Sequence, residues 1–158
     1  MAGQITIRKA LLQDSIDLFK WRNDPLALEM SKNSSKILKR DHDLWLKKNI
    51  SKKRVLILIC ENSFTKNKIG IIRFDFNRSF IKSTISINIS PEERGKKYSK
   101  VCLKQGITYM KSIYPQCREI IADVKKTNLR SIDIFTSNEF EYVEEENFFN
   151  RYKLIYER

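Results

Sequence analysis

The sequence has few of the residues that interrupt or cross-link a chain. Its 158 residues include only four glycines, three prolines and three cysteines. So few glycines and prolines leave little room for long flexible linkers. A chain of this length is sufficient for one domain with a hydrophobic core. We therefore expect a single domain over residues 1–158.

Metal ligands and long apolar runs are scarce as well. His42 is the only histidine, and Cys60, Cys102 and Cys117 lie apart from one another in apolar runs. Because zinc sites need clustered ligands, we expect no metal site and three free core thiols. No apolar run reaches the roughly 18 residues that a membrane span needs. Residues 1–9 also lack the apolar core of a signal peptide. We therefore expect a cytoplasmic protein with no membrane partner.

Acidic residues are outnumbered, with 19 Asp and Glu against 31 Lys and Arg, which gives a formal net charge of +12. Such a charge indicates an anionic partner, which could be nucleic acid, a phosphorylated small molecule or an acidic surface. The basic residues are scattered and form no arginine-rich arm. Composition therefore leaves these partners open.

The pattern of apolar residues predicts the element order β-α-α-α-β-β-β-α-β-α-β-β. The apolar run 54–60 is typical of a strand covered on both faces, and residues 81–90 alternate isoleucine with polar side chains. A broad apolar face over residues 101–114 predicts a helix. Asp14 is expected to cap the first helix. The order indicates an α/β (α+β) domain with a mixed, largely antiparallel central sheet flanked by helices.

Residues 89–106, ISPEERGKKYSKVCLKQG, are predicted to form a strand, a basic loop and a helix. Backbone N–H groups at the start of a helix, together with positive charge, bind phosphate groups. Loops of this kind normally contain several glycines, but this one has only Gly95 before a run of lysines. The segment therefore predicts a phosphate-binding loop or, alternatively, a solvated basic helix start.

The element order and two motifs resemble the GNAT (Gcn5-related) N-acetyltransferases over nearly the whole chain. The family's loop motif, [QR]-x-x-G-x-[GA], aligns with residues 94–99: Arg94 matches, and Lys97 takes the place of a glycine. A second motif, N-x-x-S-x-x-x-[YF]-x-x-x-G-F, aligns with residues 128–140, where Glu139 takes a glycine position. The resemblance implies the GNAT fold and acetyl-CoA as cofactor.

The N-terminal third resembles one branch of this family. WRNDP at 21–25 and DHDLW at 41–45 look like the enzymes that acetylate nucleotide-linked amino sugars, as in the pseudaminic-acid pathway. The resemblance implies a small-molecule nucleotide-sugar acceptor rather than nucleic acid, and it leaves a homodimer open. Two alternatives remain: a ribosomal-protein-type N-terminal acetyltransferase, and a non-catalytic basic binding module on the same fold.

The resemblance also assigns roles to individual residues. The residues expected to bind acetyl-CoA are Asn88, Ile89 and Ser90 through their main chain, then Arg94, Gly95, Lys96, Lys97, Tyr98, Ser99, Lys100, Asn128, Ser131 and Phe135. The residues expected at the acceptor are Arg22, Asn23, His42, Trp45 and Asp75. His42 is a catalytic candidate because it is the only histidine and imidazole titrates at about 6.5; Asn88 is the other, through its main chain at the thioester. Phe135 stands where many relatives have tyrosine and cannot donate a proton, so the general acid is left to Tyr98 or water.

Overall fold

The computed structural model describes residues 4–156. The helices are α1 (Ser15–Arg22), α2 (Pro25–Met30), α3 (Lys39–Asn49), α4 (Ser99–Ile113) and α5 (Leu129–Ser137). The strands are β1 (Ile5–Lys9), β2 (Val55–Asn62), β3 (Lys68–Phe76), β4 (Lys82–Ile89), β5 (Glu119–Lys125), β6 (Glu141–Glu146) and β7 (Phe149–Ile155). Short 3₁₀ turns cover Leu12–Asp14 and Pro91–Glu93. The predicted order of helices and strands is confirmed.

One sheet of seven strands, in the order β1-β2-β3-β4-β5-β7-β6, forms the centre of the protein. Every neighbouring pair is antiparallel except β4 and β5, which are parallel. A parallel pair needs a crossover connection, and α4 supplies it between these two strands. The expected mixed, largely antiparallel sheet is therefore confirmed.

Helices cover both faces of the sheet. Helix α4 packs on one face, where Cys102, Leu103 and Met110 join the larger core cluster. Helices α1 and α3 pack on the other face, where Trp21 and Leu46 join a smaller cluster. Strand β2 lies between the two layers, and its residues 56–60 are all buried, which confirms the strand covered on both faces.

Asp14 differs from its expected role. It stands at the N-cap position of α1, but its side chain makes no capping hydrogen bond there. The carboxylate instead accepts hydrogen bonds from Arg8 and from the Leu11 N–H, and it pairs with Lys68 at 2.8 Å. Because Asp14 is fully buried, the two cations outcompete the helix N-terminus for it.

Candidate active site

Strands β4 and β5 separate part-way along their length. They pair only at Lys82, Ser83 and Thr84 of β4. Strand β4 continues to Ile89, and β5 continues to Lys125, without further pairing between them. The gap leaves backbone groups of both strands available to a ligand.

The hydrogen bonds at the two ends of β4 show which residues face this gap. The Ser90 N–H donates to the carbonyl oxygen of Ile69, which continues the β3 side of the ladder. The Ile81 carbonyl oxygen accepts from the Arg118 N–H, which precedes β5. Because bonded and non-bonded residues alternate along an antiparallel ladder, even-numbered residues bond to β3 and odd-numbered residues face β5.

The main-chain groups of Ile87 and Ile89 therefore face the gap. Those of Asn88 and Ser90, which the sequence assigned to the thioester, are directed at β3. This placement does not favour the main-chain role expected of Asn88 and Ser90 and does favour that of Ile89; both stay predictions. Ile87 was missed, although the period-2 alternation of residues 81–90 already separated it from Asn88. The Asn88 side chain donates to the Trp21 carbonyl oxygen at 3.1 Å.

The basic loop after β4 turns with two left-handed residues. Gly95 has φ of 78° and Lys97 has φ of 66°. Lysine thus adopts at position 97 the conformation that the family motif reserves for glycine, at a cost of about 1 kcal/mol. Helix α4 then begins at Ser99 with no side-chain cap and no acidic residue in its first turn. The free N–H groups and the helix dipole favour an anion here.

The cations of this loop differ in what they contact. Arg94 pairs with Asp24, Lys96 with Glu93 and Lys100 with Asp133, at 2.8, 3.1 and 3.0 Å. Lys97 has no ion-pair partner within residues 4–156. Its ammonium group is therefore the loop cation that can meet a ligand phosphate without breaking an existing pair.

The second motif, residues 128–140, contributes a helix cap, a buried phenylalanine and a left-handed residue. Asn128 caps α5, since its Oδ1 accepts from the Ser131 N–H at 3.2 Å. Phe135 is buried and packs edge-to-face on Phe140, with ring centroids 5.0 Å apart. Glu139, at a family glycine position, has φ of 69°. The placement of Asn128, Ser131 and Phe135 favours structural roles, and their contact with the cofactor stays a prediction.

Two side chains of the WRNDP segment form hydrogen bonds to the main chain between α2 and α3. Arg22 Nη2 donates to the Asn33 carbonyl oxygen at 2.9 Å. The Asn23 side chain donates to the carbonyl oxygen of Ile37 and accepts from its N–H, both at 2.8 Å. Arg22 and Asn23 therefore fix the segment between α2 and α3. An acceptor role stays open for Arg22, whose buried Nη1 has no hydrogen-bond partner among the described residues.

His42 lies in the packing between α1 and α3. Its side chain is 4% exposed and contacts the rings of Phe19 and Trp45, at 5.6 and 5.8 Å between centroids. Burial lowers the pKa of His42 below its ordinary value, and Asp43 only partly opposes this. The imidazole is thus neutral at pH 7 but enclosed. The catalytic and acceptor roles expected of it stay predictions that this placement does not favour.

Trp45 and Asp75 share Arg73 as a neighbour. The Arg73 guanidinium lies 5.0 Å from the Trp45 ring and 2.8 Å from Asp75 Oδ1. Asp75 is opposite Thr84 in the ladder, so it lies at the end of β4 that still pairs with β5. This position is about four residues, or roughly 13 Å, from Asn88. Asp75 is therefore poorly placed for an acceptor at the gap.

A pocket of about 340 Å³ lies beside the gap. It is lined by Lys32, Asp123, Glu144, Glu146, Asn147, Phe148, Phe149 and Arg151. Asp123 follows Ile121, the last β5 residue paired with β4, by two positions. The Asp123 carboxylate accepts from Arg151 and Lys32, at 2.8 and 3.0 Å. These interactions keep its pKa below the ordinary value although burial opposes this.

Sequence reasoning missed all eight of these lining residues. The run EYVEEE of β6, four glutamates in six positions within a strongly basic chain, was the available signal. Alternation places Asp123 and Arg151 on the same face of neighbouring strands, where they are directly opposed. Only the strand order β5-β7-β6 shows that the glutamates join them.

This fold and site define an acyltransferase of one family. The family model described as "Acetyltransferase (GNAT) domain" matches residues 4–141, so the chain belongs to the GNAT family. It is an acetyl-CoA-dependent N-acetyltransferase, and the non-catalytic alternative is set aside. No curated protein matches the sequence significantly.

Several solved structures share the fold. A spermidine N-acetyltransferase from Vibrio cholerae, solved in complex with CoA and spermine, has a TM-score of 0.85 at 16% identity, covering 97% of this chain and 96% of that one. A dodecameric structure of the Vibrio cholerae enzyme in an intermediate state has a TM-score of 0.79 at 17% identity, covering 97% and 94%. A domain from Methanocaldococcus jannaschii has a TM-score of 0.82 at 20% identity, covering 97% and 99%.

The residues present fit acetyl-CoA. Two left-handed residues, an uncapped helix start and the unpaired Lys97 suit a pyrophosphate, and the gap after Thr84 suits an extended arm. Within residues 4–156, no helix is long and apolar enough to cross a membrane. In the same range, His, Cys, Asp and Glu form no group that could hold a metal ion.

Proposed function

We propose that the acceptor is the amino group of a nucleotide-linked amino sugar, as the WRNDP and DHDLW segments suggest. The observation that carries this proposal is the mixed charge of the pocket beside the gap. Glu144 and Glu146 offer carboxylates to an amine, while Lys32 and Arg151 offer cations to phosphates. Phe148, which is 74% exposed, offers a ring for stacking on a base.

Two contacts across the pocket support a small acceptor. Lys32, in the segment after α2, reaches Asp123 of β5 at 3.0 Å and lies 5.5 Å from the Phe149 ring centroid. Lys125 Nζ donates to the Glu29 carbonyl oxygen at 2.6 Å. These contacts join α2 and the segment after it to the β5–β7 surface. A peptide N-terminus would need an open groove here, so the ribosomal-protein alternative is less well supported.

Unmet donors also support an acceptor with many oxygen atoms. Arg22 Nη1 and Arg73 Nε are buried nitrogen atoms without a hydrogen-bond partner among the described residues. Arg22 belongs to α1, and the Arg73 side chain, from β3, lies 5.0 Å from the Trp45 ring of α3. A buried unmet donor costs about 1–3 kcal/mol, which a phosphate or sugar oxygen would recover. A polyamine has no oxygen to offer them.

The chain supplies the remaining chemistry through groups already in place. Bound acetyl-CoA provides the activated acetyl group. The Ile87 and Ile89 main chain offers hydrogen-bonding groups to an oxygen in the gap. The amine must be neutral to attack, and Glu146, which has no ion-pair partner within residues 4–156, can accept its proton directly or through water.

A polyamine is the second candidate. The observation in its favour is the acidic β6, in which Glu141, Glu144, Glu145 and Glu146 are all exposed. Clustered carboxylates suit a multiply charged cation. The spermidine N-acetyltransferases that share the fold make this acceptor worth testing directly.

Release of CoA thiol from acetyl-CoA, measured across a set of acceptors, tests the proposal. The set pairs UDP- and dTDP-linked 4-amino sugars with the same sugars lacking the nucleotide, and adds spermidine and ribosomal-protein N-terminal peptides. We expect turnover with the nucleotide-linked sugars and at least tenfold less with the free sugars. Faster turnover of spermidine would select the second candidate, and turnover of peptides alone would overturn both.

A homodimer is still a prediction, which light scattering on the purified protein would test; one structure that shares the fold is described as dodecameric. A cytoplasmic location is likewise a prediction, for which fractionation of cells is the measurement.

A further inference from the structure

We propose that Arg94 is a positioning residue that couples the coenzyme loop to the segment over the acceptor pocket. Its guanidinium lies 2.8 Å from Asp24 Oδ2, and the two side chains are only 19% and 16% exposed. Arg94 belongs to the loop before α4, and Asp24 belongs to the start of α2. Binding of coenzyme A at the loop would therefore stabilise residues 24–38, which the coenzyme does not need to touch.

The Arg94 guanidinium is already committed to this pair. A charge-assisted hydrogen bond of this kind, removed from most solvent, is stronger than a bond at the exposed surface. Lys97, by contrast, is unpaired and exposed in the same loop. The division of roles follows from these environments: Lys97 is available to the phosphates, while Arg94 holds the loop to α2.

Asp24 connects its ion pair with Arg94 to the acceptor pocket through α2. The same Oδ2 atom accepts from the Ala27 N–H at 3.2 Å and so caps α2. Helix α2 leads directly to Lys32, which reaches Asp123 in the pocket at 3.0 Å. A displacement of the loop at Arg94 would therefore move the N-terminal cap of α2. Lys32, which follows α2 and forms part of the pocket wall, would move with it.

Asn23 fixes the far end of the same segment. Its two hydrogen bonds to the Ile37 main chain close the chain between α2 and α3 into one unit that begins beside Asp24. Residues 24–38 thus have one anchor on the coenzyme loop, one on the acceptor pocket and one on α1. Such a chain of packed, hydrogen-bonded contacts can carry energetic coupling between two sites.

Hydrogen exchange with coenzyme A as the only ligand tests this coupling without any acceptor. In the unmodified protein, we expect coenzyme A to slow amide exchange in residues 25–38 by about fivefold or more. In the Asp24→Asn variant, we expect this protection to disappear from residues 25–38 and to persist in residues 95–103. Asparagine caps a helix as well as aspartate does, so the variant removes the charge pair and keeps the cap.

Two further variants separate coupling from folding and from loop charge. Arg94→Gln leaves Asp24 and its cap untouched, and we expect the same loss of protection. Adding Asp24→Asn to Arg94→Gln should then have no further effect, because both changes remove one interaction. Lys100→Gln removes a charge from the start of α4, where Lys100 pairs with Asp133; at a coenzyme A concentration that saturates each variant, it should leave the protection of residues 25–38 intact.

Protection of residues 25–38 that survives in both Asp24→Asn and Arg94→Gln would overturn the proposal. The same holds if Lys100→Gln abolishes it equally, since the effect would then follow loop charge alone. Absence of protection in the unmodified protein, despite protection of residues 95–103, would also overturn it. None of these outcomes depends on the nucleotide-sugar acceptor, so the two proposals can fail separately.

Discussion

The Asn88 side chain donates a hydrogen bond of 3.1 Å to the carbonyl oxygen of Trp21. Asn88 lies in the part of β4 that has separated from β5, and Trp21 lies in the last turn of α1. The last carbonyl groups of a helix lack partners within the helix, and Asn88 supplies one. Helix α1 and the strand beside the gap are thereby fixed to each other.

Replacing Asn88 with aspartate should separate these two elements. The change substitutes a carboxylate for the donor and places it against the Trp21 carbonyl oxygen. We expect a loss of about 2 kcal/mol in the free energy of unfolding, against about 1 kcal/mol for Asn88→Ala. Urea unfolding monitored by tryptophan fluorescence measures both. Asn150→Ala, on β7 away from α1, is the control, and an equal loss in that variant would contradict the role of the bond.

Two variants of Lys97 should separate the effect of its left-handed backbone on stability from the effect of its charge on coenzyme A binding. Lys97→Gly relieves the left-handed strain and should raise the free energy of unfolding by about 0.5–1 kcal/mol. Lys97→Ala keeps the strain. Both variants should weaken coenzyme A binding about fivefold and reduce its salt dependence, because both lack the ammonium group. Calorimetry at two salt concentrations measures this. Unchanged affinity in both variants would show that the Lys97 side chain does not reach the phosphates.

Gly70 and Gly106 should respond differently to alanine. A methyl group on Gly70 would lie 2.7 Å from the backbone carbonyl oxygen of Asn88, so β4 must move beside the gap. We expect kcat to fall by about tenfold or more, as misplacement of reacting groups does.

A methyl group on Gly106 would instead meet the terminal Cδ1 of Ile72. Gly106→Ala should therefore cost about 1–2 kcal/mol of stability with little change in kcat. Adding Ile72→Val should recover that stability. If Gly70→Ala retained full kcat, the position of β4 would not be critical for turnover.

Glu146 should matter for the acceptor and not for the coenzyme. Glu146→Gln removes the unpaired carboxylate of the pocket, which is also the proposed proton acceptor, so we expect kcat/KM for the acceptor to fall about tenfold or more. The KM for acetyl-CoA should not change. Glu145 is a matched control on the same strand, since it pairs with Lys126 at 2.7 Å and does not line the pocket. Equal effects of Glu146→Gln and Glu145→Gln would indicate only the general charge of β6.

Asp14 should make stability depend on pH. Burial opposes its ionisation, but Arg8, Lys68 and the Leu11 N–H hold the pKa of the carboxyl well below its ordinary 3.8. Because the folded-state pKa is depressed, this stabilisation is complete above the ordinary pKa and is lost as the pH falls below it. Asp14→Asn should lose about 3 kcal/mol at pH 7.

Urea unfolding at pH 7 and pH 3 distinguishes this effect from a general loss of packing. The difference between the unmodified protein and Asp14→Asn should shrink at the lower pH. A constant difference at both pH values would mean that the charge of Asp14 contributes little.

Much of the fold could be predicted because its signals are local. The alternation of isoleucine with polar residues in 81–90 and the apolar run 54–60 each identify a strand within the segment itself. Boundaries shifted by a residue or two; the helix predicted over residues 101–114, for example, is α4 at Ser99–Ile113. The cap expected of Asp14 failed because its carboxylate pairs instead with Arg8, six residues earlier, and with Lys68, which is remote in sequence and reaches it only in the folded chain.

The site was predicted unevenly for the same reason. The loop of Gly95 and Lys97 follows directly on β4, so a contiguous motif could locate it. The hydrogen bonds of Arg22 and Asn23 could not be anticipated, because their partners, Asn33 and Ile37, lie on a later segment; the acceptor role of these two residues stays a prediction. The pocket beside the gap was not anticipated at all, since three strands and the segment after α2 contribute to it.

By itself, the sequence determined the order of helices and strands and the position of the basic loop before α4, because each depends on residues close together in the chain. Only the tertiary structure decided that Ile87 and Ile89 face the gap, that His42 is enclosed and that Arg94 pairs with Asp24. Those features depend on strand register and on helices packed across the sheet. Both arise from burial summed over the whole core, and no single segment contains that information.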